Sequence, residues 1–145
     1  MGFLSNILSQ AEKAINSYTG DKPFLNGVAS AAANVTAADG KIDDAEIDAA
    51  IAGMQANAIV AASFTGPQIE EAYTAALTRA KTRAGRMENK RFIEALAARD
   101  PAVRQDVFLI AADVADQDGI GNEERAVLTD IASLLRVDDN KLLAA

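Results

Sequence analysis

The chain has 145 residues, half of them apolar, with 14 Lys and Arg against 21 Asp and Glu, a formal net charge of −7, and neither cysteine nor histidine. That length suits one domain with a real core, the apolar half excludes disorder throughout, and the acidity sets the protein against phosphate backbones, so nucleic acid is not an expected partner. Without thiol or imidazole there are no disulfides, no Ser-His or Cys-His catalysis and no zinc or di-iron centre, so any metal site must be built from oxygen and take a hard cation.

Alanine dominates the apolar half and prolines number three, so the expected class is all-α. Residues 2–17 read as an amphipathic helix, with Phe3, Leu4, Ile7, Leu8, Ala11 and Ile15 at helical spacing. Its polar face lacks the Lys/Arg richness of membrane-surface anchors, so packing on the core or a partner is its expected use. Asp21 and Pro23 open a second helix with Phe24, Val28, Ala31 and Val35 inward, which stops at Asp39-Gly40. A third starts at Asp43, where Asp43 and Glu46 form a D-x-x-E capping pattern. Residues 57–64 read as a turn or frayed end. Thr65-Gly66-Pro67 opens a fourth helix, with Ile69, Tyr73, Ala76, Leu77 and Ala80 inward, and Gly85 is expected to end it. A fifth carries Met87, Phe92, Ile93 and Leu96. Asp100-Pro101 opens a sixth, which buries Val103, Val107, Ile110 and Val114 and ends at Asp118-Gly119. Asn122 is expected to cap a seventh, with Leu128, Ile131 and Leu135 inward, and Asp138 a last short turn.

No apolar run approaches the ~18 residues a membrane helix needs, and the N-terminus shows neither a signal peptide nor a myristoylation pattern, since Asn6 occupies the position that needs Ser or Thr. The expected location is the cytoplasm.

The two halves echo each other. Residues 35–44, containing Asp39-Gly40, align with residues 114–123, containing Asp118-Gly119, at an offset of 79. Each copy is an apolar helix, an Asp-Gly stop, a three-residue turn and an acidic first turn. The pattern predicts one domain over 1–145, with two pseudo-symmetric helix-turn-helix units at about 22–57 and 101–136 in a compact bundle of about seven helices.

The carboxylates concentrate at these corners. Asp39, Asp43, Asp44 and Glu46 fall within eight residues, and Asp113, Asp116, Asp118, Glu123 and Glu124 within twelve. If the corners meet, like charges ~4 Å apart cost about 4 kcal/mol at an effective dielectric near 20, a repulsion that Ca²⁺ or Mg²⁺ would relieve. Asp39-Gly40-Lys41-Ile42 with Glu46 matches the second half of an EF-hand loop, but Val35 and Ala37 stand where its first ligands belong. The second corner keeps Asp116 and Asp118 but has Val114 first and Arg125 last, so a shared, cross-repeat ligand set is expected. The same acids have an alternative structural use: Asp43, Asn122, Glu123 and Glu124 suit helix starts, and Asp39 and Asp118 can bond their own turns.

The pattern A-x-D-G-x-x-x-x-E is met in part twice, about 80 residues apart in an all-α chain, as Ala37 with Asp39-Gly40 and as Asp118-Gly119 with Glu124, and it resembles the bacterial tellurite-resistance TerB family over roughly residues 3–140. The resemblance implies a pseudo-symmetric helical bundle without enzymatic activity, serving stress response. It implies a divalent-cation site and docking to partner proteins of that system, in the cytoplasm or peripheral to the inner membrane. The matching positions are Asp39, Gly40 and Asp44, then Asp118, Gly119, Glu123 and Glu124. The first copy departs from the pattern, with Asp44 and Glu46 where adjacent glutamates are usual.

The metal candidates are therefore Asp39, Asp43, Asp44, Glu46, Asp116, Asp118, Asn122, Glu123 and Glu124. The alternative is a metal-free scaffold using the first helix and the basic run Arg79, Lys81, Arg83, Arg86, Lys90 and Arg91, itself read as a solvated face of helices four and five that could meet an acidic partner or phosphate groups. A hydrolase would need two hard cations and a substrate cleft, and is the least favoured reading.

Overall fold

Each helix begins where a local signal tells the chain to turn. The computed structural model describes residues 18–116 and 119–144, so the helix expected over 2–17 lies outside it. Asp21 accepts the Phe24 N–H at 3.1 Å and Pro23 sits in the first turn, starting α1 (Lys22–Thr36). Asp43 accepts the Glu46 N–H at 2.7 Å and starts α2 (Asp44–Ala56). Thr65 and Gln68 exchange bonds in a full capping box ahead of α4 (Gly66–Ala80). Asp100 precedes α6 (Pro101–Ala115), and a short α8 (Asp139–Ala144) closes the series. The described residues contain eight helices and no strand, as the composition predicts.

Three boundaries differ from expectation. Residues 57–64 are not simply a turn. Asn57 accepts the N–H groups of Ile59 and Val60 at 3.0 and 3.3 Å, and so restarts the chain as α3 (Ala58–Ser63). Gly85 does not end the fourth helix. The break comes at Lys81 and Thr82, and Gly85 lies in the first turn of α5 (Arg83–Glu94), where Thr82 accepts its N–H. Glycine is needed there because a Cβ would run into the Arg79 backbone carbonyl. Asn122 is the first residue of α7 (Asn122–Leu135) rather than its cap. Gly121 holds the cap position, and Glu124 reaches back to its N–H at 3.1 Å.

Helix α1 is apolar on nearly every side and is buried accordingly. Phe24, Val28, Ala29, Ala31, Ala32 and Ala33 are fully enclosed. It packs on α2, α4, α5, α6 and α7, and these five also touch in order, α2 on α4, α4 on α5, α5 on α7, α7 on α6 and α6 on α2. They form a closed ring around one central helix. The small side chains of α1 are what let so many neighbours approach.

Among the described residues every buried polar side-chain atom has a hydrogen-bond partner. Asn89 of α5 is completely buried. It donates to Asn34 Oδ1 at 2.9 Å and to the Ala76 carbonyl at 3.0 Å, and accepts from Arg79 Nε at 2.7 Å. Arg79 also donates to Ser30 and lies 4.7 Å from the Phe92 ring centroid. At the other end of α1, Tyr18 stacks on Phe24 at 3.8 Å and donates to Asp106 at 3.0 Å, and burial raises the pKa of both groups. Arg99 grips Asp21 through two bonds of 2.7 and 3.1 Å. Among the described residues no helix is long and apolar enough to cross a membrane.

Candidate functional site

The two repeat units are α1–α2 and α6–α7. Their first helices pack together, and each second helix also touches the other unit's first, α2 on α6 and α7 on α1. That reciprocal packing brings the two corners to the same end of the bundle. Gly40 and Gly119 take φ of +76° and +87°, left-handed conformations in which glycine alone is unstrained, and each lets its chain reverse into the next helix.

Between the corners lies an open depression of about 470 Å³. The ends of α1 and α6 supply its small-residue floor through Val35, Thr36, Val114 and Ala115, and one turn of α2 adds Ala45, Ala49 and Ala50. The polar rim is Asp39, Asp43 and Glu46 from the first corner and Glu124 from the second, with Gly119 and Gly121 between. Four of the nine candidate residues therefore share a pocket. Asp44, Asp116, Asn122 and Glu123 do not line it and stand exposed on the surrounding surface. Asp118 lies outside the described residues.

The rim acids already serve the backbone. Asp39 accepts the Lys41 N–H at 2.9 Å, Asp43 caps α2, and Glu124 binds the start of α7. Each bond uses one carboxylate oxygen, and such caps stabilise by about 0.5–2 kcal/mol apiece without any metal. As placed, no three acidic side chains among the described residues converge closely enough to hold an ion. The donor chemistry nevertheless suits a hard cation, since every rim group is a carboxylate. Beside the rim, partial desolvation and the neighbouring Asp116 raise the pKa of Asp113.

One polar contact at the floor has no counterpart in the sequence reading. Thr36 Oγ1 lies 2.8 Å from the buried Tyr73 hydroxyl. Burial raises the Tyr73 pKa, Thr36 opposes that shift, and the charge of Glu46 adds to it. The only signal for this pairing was a lone tyrosine on the inward stripe of an alanine-rich helix.

The basic run is not one solvated face. Arg79 is committed to the interior network, and Arg86 donates to the Ala80 carbonyl at 2.9 Å, closing the end of α4. Lys90 pairs with Asp130 at 2.9 Å. Lys81, Arg83 and Arg91 remain exposed. No family model matches the chain, and neither a curated protein nor a solved structure matches it.

Proposed function

We propose that this protein is a non-enzymatic, TerB-like stress-response protein that takes up a divalent cation, Ca²⁺ or Mg²⁺, between its two Asp-Gly corners and docks to partner proteins. The observation that supports this reading is the shared pocket: carboxylates 78 residues apart or more in sequence, Asp43 and Glu124 among them, rim one depression. A cation there would draw Asp39, Asp43 and Glu124 inward, each offering the oxygen not bound to the backbone, with Glu46 on the same rim. Isothermal calorimetry with Ca²⁺, Mg²⁺ and Mn²⁺, paired with thermal melting, tests it. Saturation at ~100 Kd adds about 2.7 kcal/mol to stability, and Asp39→Asn with Glu124→Gln should abolish both the heat and the melting shift. No heat and no shift at millimolar ion would refute the cation site.

A further inference from the structure

On the other side of the first corner, α1, α5 and α7 enclose a second depression of about 540 Å³. Its wall is the outer surface of Ala37, Ala38 and Gly40, so one loop separates it from the acidic pocket. Its charge is of the opposite sign. Arg83, Arg86 and Lys90 line it against the single carboxylate of Asp130, on a chain whose net charge is −7. Its apolar part comes from Val127, Ile131 and Met87.

Two details set this groove apart from an ordinary solvated face. Met87 is 52% exposed, one of only two large hydrophobic side chains so placed among the described residues. Methionine is a pliable apolar contact, common on surfaces that accept more than one side chain. The Arg83 side chain makes no ion pair or hydrogen bond among the described residues, and the Lys90–Asp130 pair is more than a third exposed at both ends, so water already screens it. The groove thus offers one unspent cation, one readily re-paired cation, and an apolar ledge between them. Arg83, Met87 and Lys90 follow at successive spacings on one face of α5, a spacing that the i, i+3, i+4 positions of a second helix can match.

We infer that this groove docks an acidic amphipathic segment of a partner protein, with carboxylates against Arg83 and Lys90 and an apolar side chain on Met87 and Val127. Charge complementarity decides the partner: an apolar segment without acids would leave the cations uncompensated, and a basic one would be repelled. A nucleic acid would find no aromatic platform in the lining. The inference does not rest on the cation site and survives its failure.

Panning the full chain against a random-peptide display library tests it. The enriched sequences should combine Asp or Glu with Leu, Phe or Met at helical spacing. A fluorescein-labelled peptide of the winning pattern should bind in anisotropy titrations and weaken as salt rises. Arg83→Glu with Lys90→Glu should weaken it at least about ten-fold while the melting curve persists, and the milder pair Arg83→Gln with Lys90→Gln should fall between. Met87→Ser should weaken it without altering the salt dependence. Enrichment of basic or charge-free sequences would overturn the inference, as would binding indifferent to both double substitutions. So would a labelled single-stranded oligonucleotide that bound in a manner lost on the same substitutions, or a concentration-dependent dimer abolished by them.

Discussion

Replacing Asn89 with alanine probes the interior of the ring most directly. Asn89 is fully buried and joins three helices: Asn34 on α1, Ala76 and Arg79 on α4, and its own α5. Truncation removes the acceptor of the Arg79 Nε–H and the donor to Asn34 Oδ1, in a space from which water is excluded, while the Ala76 carbonyl keeps its backbone bond within α4. A buried group left unpaired costs about 1–3 kcal/mol, more where a charge is involved, and some relaxation of Arg79 toward Ser30 will recover part. The expected loss is about 3–5 kcal/mol, out of a total stability of about 5–15. With an unfolding entropy of about 2.1 cal/mol/K per residue, 145 residues give about 0.3 kcal/mol/K, so the melting point should fall by roughly 10–17 °C. Urea unfolding followed by circular dichroism measures the free energy, with Glu88→Ala on the exposed face of α5 as the control, expected within about 0.5 kcal/mol of wild type. A loss below about 1 kcal/mol for Asn89→Ala would refute the network as a source of stability.

Gly85→Ala should destabilise more than Gly27→Ala, because the first Cβ runs into the Arg79 backbone while the second meets chiefly the tip of the buried Leu96 side chain, with the Phe92 carbonyl at 3.3 Å. Equal urea midpoints for the two would contradict that geometry. Gly40→Ala should cost about 1–2 kcal/mol from backbone conformation alone, since nothing lies near its Cβ, and a smaller penalty would mean the corner can relax. Arg99 holds the Asp21 carboxyl below the usual carboxylate range, so this stabilisation is complete above the unfolded value of about 3.9 and fades as pH falls through the folded one. Arg99→Met should therefore lower stability at neutral pH by about 1 kcal/mol after solvent screening, and make acid unfolding shallower between pH about 4 and the onset of acid denaturation. Asp106 has the opposite sign: burial lifts its pKa, so folding loses stability as pH rises from the unfolded value through the raised one, and Asp106→Asn should remove that decline in a pH series of urea midpoints.

Helix starts were legible because they are written locally. Asp21 with Pro23, Asp43 with Glu46, and Thr65 with Pro67 each place an acceptor beside the N–H groups it must satisfy. Helix α3 escaped because six residues are too few to display a period, and only the Asn57 cap announces it. Gly85 misled because glycine usually marks a helix end, whereas here it marks a close approach between neighbouring helices. The choice of Gly121 over Asn122 turned on the reach of Glu124, which is a matter of side-chain geometry. The basic run looked uniform in sequence, yet Arg79 turns inward to Ser30, 49 residues away, and no local pattern reveals such a partner. The pairing of the corners could be expected from the repeat. Which acids face the pocket could not, since that depends on where each falls around its turn.

The ring has a consequence for how the protein comes apart. The central helix is coded near the start of the chain, while two of the five helices that shelter it, α6 and α7, come after residue 100. Cleaving the connection between α5 and α6 gives no piece that holds the whole enclosure, so the earlier fragment would expose an alanine-rich rod with one flank bare. Such an arrangement melts as a single cooperative unit, and a nascent chain must wait for its last third before this central helix can be put away.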